Sequence, residues 1–183
     1  RVAALCERIA KAAGMCAYDV ELAWLSGMLH DVGRFEQIKR YNTFSDADSV
    51  DHAKFGADLL FKDGLISTFL NGMVKCTGYK PGALEDRYSS DGVFLYDRLN
   101  KSDMEMLELA IRCHNMYRIP QGLNRREQAF CNVLRDADKV DIFKVNIDTP
   151  LEEIYNTTTE ELMKSDITDE VLEAFDEEHC ILK

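Results

Sequence analysis

The sequence predicts an all-α fold, on three observations. Apolar residues recur every three to four positions through most of the 183 residues, capping signals stand ahead of those stretches, and strand-type alternation is scarce. An apolar fraction of 46%, with 3 Pro and 10 Gly, supports a packed core and excludes a disordered or fibrous chain. One domain is the default at this length. Residues 1–145 read as its helical core, and 146–183 as acidic helices packed on the same domain.

In RVAALCERIAKAAG, Val2, Leu5, Ile9 and Ala13 lie at helical spacing with no cap ahead of them, so the first helix is expected to begin upstream of Arg1. Asp19 is read as the N-cap of the second helix and Gly33 as its stop. Between them Leu22–Leu29 (LAWLSGML) carries no charge and turns apolar residues to nearly every side, which marks a central, fully packed helix. The polar loop RYNTFSDADS leads to Asp48 or Ser49 as the next cap. Val50, Ala53, Ala57, Leu60 and Phe61 then form a buried stripe, with His52 in the first turn. Residues 65–75 read as helix, whereas CTGYKPGALEDRYSSDG mixes turn residues with charges and is assigned no element.

Ser102 to Glu105 reads as a capping box, after which Met106, Leu109, Ala110 and Cys113 face inward until His114. Asn124 is the expected cap of the next helix, whose core face is Phe130, Val133, Leu134, Ala137 and Val140. Two short helices with acidic first turns close the chain. The first carries a capping box from Thr157 to Glu160, and the second is ITDEVLEAF.

A net charge of −11 argues against a nucleic-acid polymer or an anionic membrane as partner, and it means that a small anionic substrate needs local cations. Cysteines 6, 16, 76, 113, 131 and 180 form no CxxC pair and read as reduced core residues. No apolar run approaches the ~20 residues of a bilayer span, and no secretory leader opens the sequence. The expectation is a cytoplasmic protein. Nothing in the composition sets an oligomeric state.

The central helix runs into His30 and Asp31. An unpaired buried carboxylate costs several kcal/mol or more, so a compensating charge is needed, and a metal ion is one candidate. Three of the four histidines, His30, His52 and His114, stand at helix ends, and Asp31 and Asp138 lie on or near buried faces. Such a mixed nitrogen and oxygen set suits iron, manganese, nickel, cobalt or zinc, and without cysteine pairs a structural zinc site is disfavoured. At about 100° per residue, Asp136 and Asp138 lie equally far from the apolar axis on opposite sides, so the helical wheel leaves both open. Asp141 falls nearest the apolar face, either to orient a ligand histidine or to cap a buried polar contact. His179, in DEEHC, reads as an exposed residue without a role.

The order His30-Asp31, His52, His114, Ala137-Asp138-Lys139 resembles the HD superfamily of metal-dependent phosphohydrolases, over about residues 1–145. The longer strings LHDVGRFEQ, TFSDADSVDHA, AIRCHN and RDADKVDIF resemble its bacterial HD-domain phosphohydrolase subgroup. The resemblance implies an HD-domain helical bundle. It makes His30 and Asp31 ligands of a first divalent metal with Asp138 as the closing ligand, and it assigns His52 and His114 to a second ion. Magnesium joins the five transition metals as an option. Beside this site, Arg34, just past His30-Asp31, and Lys139, next to Asp138, are candidate cations for a phosphate oxygen, with His30, Asp31 and Lys139 the catalytic candidates, and Asn115, Tyr117 and Arg118 are candidates for its mouth.

The implied activity is hydrolysis of a small phosphate ester, a nucleotide phosphomonoester among the options, by metal-activated water. A dinuclear cyclic-nucleotide phosphodiesterase and a non-catalytic metabolite-binding module are the alternatives. The family also places a histidine a few residues before an R-V-A motif that matches Arg1, Val2 and Ala3. This sequence lacks it, and the expectation is that it lies upstream of Arg1.

Overall fold

The computed structural model describes residues 1–75, 99–155, 158–164 and 166–177. The stretch 76–92 that was assigned no element, Cys180 and His179 fall outside them. Among the described residues every regular element is helical: α1 (Val2–Ala12), α2 (Ala17–Leu29), α3 (Val32–Tyr41), α4 (His52–Ala57, continued by a π-helical turn Asp58–Lys62), α5 (Leu65–Lys75), α6 (Lys101–Cys113), α7 (Arg125–Asp148), α8 (Leu151–Tyr155), α9 (Thr159–Leu162) and α10 (Asp169–Asp176). None of these helices is long and apolar enough to cross a membrane. The chain divides into two compact units, Arg1–Asp141 and Ile142–Lys183.

The core of the first unit is built by Leu22, Leu25, Leu60, Leu107, Ile111, Phe130 and Leu134, all fully buried. The face that α1 buries is Ala3, Cys6 and Ala10, one position away from the expected stripe; Val2, Leu5 and Ile9 flank the core half-buried. The reason lies across the interface. A Cβ on Gly27 of α2 would come within 2.7 Å of the Ala3 Cα and 2.8 Å of the Cys6 Sγ, so α1 and α2 meet at near-backbone distance and only small residues fit between them.

Helix α2 starts at Ala17, so Asp19 sits within its first turn instead of capping it and is held by Arg126 at 2.7 Å. Its burial is not all-round, because Met28 faces outward. The helix stops at Leu29 with His30 as its C-cap. Asp31 leaves the helical region (φ −102, ψ 15) and starts α3. Gly33 is therefore not a stop but a buried residue inside α3. A Cβ there would fall on the carbonyl oxygen of His52 and 2.7 Å from the Gly56 nitrogen. The turn that ends α3 is made by Asn42 in the left-handed region at φ 53.

Three caps also differ from expectation. Helix α4 is capped by Asp51, which accepts the Lys54 N–H at 3.1 Å, so neither Asp48 nor Ser49 is needed. The box of α6 pairs Asn100 with Asp103, two residues before the expected one. Asp103 is drawn inward because its buried carboxylate also accepts the Tyr18 hydroxyl at 2.6 Å and pairs with Arg126 at 2.8 Å, tying α6 to α2 and α7. Met106, Leu107, Ala110, Ile111 and Cys113 are buried on α6, and Leu109 only partly. Asn124 caps α7 as expected, accepting from the Arg126 and Glu127 amides. Phe130, Val133, Leu134 and Ala137 are buried there, but Val140 is exposed.

In the second unit, the box of α9 is Thr158 with Glu161, one residue later than expected, and Thr168 precedes α10. Neither helix buries a residue. Cys6, Cys113 and Cys131 are buried free thiols, whereas Cys16 is exposed.

Gly33→Ala is expected to destabilise the protein by about 1–3 kcal/mol in urea unfolding, because overpacking against backbone outweighs the ~1 kcal/mol that alanine gains in a helix. An unchanged or raised stability would show that α3 and α4 have room to part.

Asp103 gives a pH test. Burial opposes its ionisation, but the Tyr18 hydroxyl, Arg126 and the Asn100 amide hold its pKa below the usual carboxylate value, and burial with the Asp103 charge pushes Tyr18 up to about 12. A depressed folded pKa stabilises above the unfolded value of about 3.9, and that contribution is lost as pH falls through the folded one. Asp103→Asn should therefore lower stability at pH 7 and flatten its decline below pH 4. A parallel decline in both proteins would contradict the assignment.

Candidate metal centre

The four side chains that matter most all sit where a helix begins or ends. His30 is the C-cap of α2, Asp31 the N-cap of α3, His52 the first residue of α4 and His114 the C-cap of α6. A long run of sequence separates them, and the fold closes it through glycine. Gly33 and Gly56 meet backbone to backbone, which sets the start of α4 against the start of α3 and so places His52 beside Asp31. Packing of α4 against α6 brings in His114, whose ring lies 5.0 Å from that of His52 and 5.1 Å from that of His30.

Asp31 stands at the middle of the group. Its Oδ2 lies 3.3 Å from His30 Nε2, while its Oδ1 faces the other two rings, 3.5 Å from His52 Nε2 and 3.6 Å from His114 Nε2. The Asp138 carboxylate approaches His30 Nε2 at 3.7 Å, and Asp136 points to solvent. The choice that the helical wheel left open is thus resolved in position: Asp138 is the residue on the cluster side of α7. His30, Asp31 and His114 offer one ligand atom each within 4.8 Å of one another.

The far side of each ring is fixed. His30 Nδ1 lies 2.9 Å from the Gly27 carbonyl, His114 Nδ1 2.7 Å from the Ile111 carbonyl, and His52 Nδ1 2.6 Å from the Asp46 carboxylate. Carbonyls and carboxylates only accept, so each Nδ1 carries a hydrogen, and a ring that is neutral turns an Nε2 lone pair inward. His52 Nε2 and His114 Nε2 then face each other at 3.1 Å, and both face a carboxylate oxygen. Acceptors alone repel at such distances. The donors of His30, Asp31 and His114 fit a divalent cation, and the outer hydrogen bonds are left to hold the rings in register.

The charges in the group are skewed accordingly. Burial works against the ionised form of Asp31, yet the hydrogen bonds it accepts wherever an Nε2 of His114 or His30 carries a proton hold its pKa far below the usual carboxylate range. Burial likewise opposes the His30 cation, but the hydrogen bond and charge of Asp31 outweigh it and raise the pKa. For His52, burial and the nearby Arg34 charge prevail over Asp46 and lower it, which keeps this ring neutral at pH 7.

The remaining sequence-derived candidates have definite places. Lys139 is exposed beside Asp138, which it contacts at 2.7 Å. Arg34 lines a cleft of about 540 Å³ with Asp31, Phe35, Ile38 and Phe44. Its Nη1 is engaged by Gln37, by the Phe44 carbonyl and by Asp46. Asn115 faces inward, donating to Asp51 at 3.0 Å and to Asp46 at 3.3 Å. Asp141 takes neither of the roles expected of it and pairs with Arg1 at 2.9 Å.

Two residues of the site escaped the sequence reading. Asp46 is one of several acids in a polar loop, and no spacing rule separates it from Asp48. Gln37 is fully buried, four residues after Gly33 on the same face of α3, but apolar periodicity does not register a glutamine.

The family model for the HD domain matches residues 1–179. No curated protein and no solved structure gives a match to the chain. With its His and Asp cluster at the helix ends, the chain belongs to the HD-domain family, whose members are commonly metal-dependent phosphohydrolases.

Proposed function

We propose that this protein is a phosphohydrolase acting on a small phosphate ester. His30, Asp31 and Asp138 would hold one divalent ion, and Asp31, His52 and His114 would hold a second. Iron, manganese, nickel, cobalt and zinc suit this donor set, with magnesium as a further option. The observation that carries the reading is the convergence of three Nε2 atoms on the two oxygens of Asp31. A bound divalent cation supplies Lewis acidity there, lowering the pKa of a water toward neutrality and offsetting charge on a phosphoryl oxygen.

The protein's own groups do the positioning. Arg34 in the cleft wall and Lys139 beside Asp138 supply the local positive charge that a phosphate needs on a chain of net charge −11. Phe35, Ile38 and Phe44 give the same cleft an apolar side next to Asp31, which supports an ester group with an apolar or aromatic face, as in a nucleoside phosphate. Asn115 contributes from behind, through Asp46 and Asp51. Free thiols among the described cysteines support a reducing compartment, the cytoplasm.

The test is metal content and turnover in the same samples, with aryl phosphates, nucleoside monophosphates and cyclic nucleotides as substrates. Asp31→Asn is expected to lose bound metal and to lower phosphoester hydrolysis by about 10²-fold or more while remaining folded, since an amide is a poor ligand for a divalent ion. Wild-type turnover in the variant with metal retained would remove Asp31 from the chemistry. Cleavage confined to cyclic nucleotides would identify a phosphodiesterase, and metal binding without any turnover would identify a binding module.

A further inference from the structure

We propose that Asp46 is a positioning residue that determines which nitrogen of His52 faces Asp31, and that Arg34, Gln37 and Asn115 exist at this point of the fold to hold Asp46 in place. The effect on the ring follows from the geometry alone; the effect on metal binding rests on the function proposed above.

The argument starts from a difference among the three histidines. His30 and His114 end their helices, and each donates its Nδ1 hydrogen to a carbonyl three residues earlier on its own helix, Gly27 or Ile111. Their orientation comes with the helix end. His52 begins its helix and has no preceding turn to supply a carbonyl. It needs an acceptor from outside, and Asp46, in the loop between α3 and α4, meets its Nδ1 at 2.6 Å.

Asp46 is itself fully engaged. Its Oδ1 accepts from Arg34 Nη1 and from Gln37 Nε2, each at 3.0 Å, and its Oδ2 meets Asn115 Nδ2 at 3.3 Å besides His52. Gln37 has no exposed surface, and its Nε2 also reaches Ser49 Oγ at 2.8 Å and the Val50 carbonyl at 3.1 Å. A mostly polar loop is thereby locked onto α3 at both its middle and its end. The donors on the carboxylate leave it one role toward His52, that of acceptor.

The consequence is specific to the cluster. A free neutral imidazole prefers the hydrogen on Nε2. In that form His52 would donate to His114 Nε2, 3.1 Å away, and the two rings would satisfy each other. Asp46 prevents this closure and keeps both lone pairs available, so its loss should cost metal affinity even where the loop stays in place.

The experiment uses long-range nitrogen–proton NMR of the imidazoles in the metal-free full chain at pH 8, together with Mn²⁺ titration followed by electron paramagnetic resonance. With four histidines in the sequence, single His→Gln variants assign the signals. The expected result is an Nδ1–H ring at His52 in the wild type, a shift of His52 alone to Nε2–H in Asp46→Ala, and Mn²⁺ affinity lower by about 10- to 100-fold. An Nε2–H ring at His52 in the wild type overturns the proposal, and that measurement stands even if the variant does not fold. An Asp46→Ala protein that loses thermal stability but keeps Nδ1–H at His52 overturns it too, leaving Asp46 a loop anchor. Absence of Mn²⁺ binding in a wild type that shows the expected tautomer would instead sink the metal reading and leave the assignment of the ring intact.

Discussion

A carboxylate faced by three imidazole Nε2 atoms needs a cation or ring protons to balance it, and the rest of the structure is organised around that constraint. Each ring is held by an acceptor behind its Nδ1, which turns its Nε2 inward. Asp31 divides them, with His30 nearer one oxygen and His52 and His114 nearer the other.

The approach of the elements depends on small residues in the first unit. Gly27 lets α1 lie against α2 over Ala3 and Cys6, and Gly33 with Gly56 lets α3 and α4 touch through their backbones. The second contact bears directly on chemistry. Side chains larger than hydrogen there would separate His52 from Asp31, and a shift of 1 Å matters in a centre whose atoms are already spaced at 3.3–3.7 Å. Core packing and site geometry are thus one problem, solved by the same residues.

Much of this was legible in the sequence, and the failures have identifiable causes. Helix existence followed from apolar periodicity, because burial on one face imposes a 3.6-residue repeat whatever the partners are. Caps were less legible: Asn100 wins over Ser102 only because Asp103 is pulled inward by Tyr18 and Arg126, a tertiary effect. Gly33 was misread as a stop since a glycine that ends a helix and one that admits a neighbouring backbone look alike until the neighbour is known. His30, Asp31, His52 and His114 stood out as polar residues at the ends of apolar runs. Asp138 could not be told from Asp136 by geometry on a single helix; the resemblance favoured Asp138, and the approach of His30 puts it on the cluster side. Asp46 and Gln37 act through side chains that sequence spacing does not relate, so nothing marked them.

The most direct measurement is anomalous diffraction at the manganese edge from crystals of the protein grown with Mn²⁺. The expected result is a peak coordinated by His30 Nε2, Asp31 and Asp138, with a second, stronger or weaker, between Asp31 Oδ1 and the Nε2 atoms of His52 and His114. A map with no peak beside Asp31, or with Mn²⁺ bound only by carboxylates elsewhere on this acidic chain, would contradict the assignment of the cluster as a metal centre.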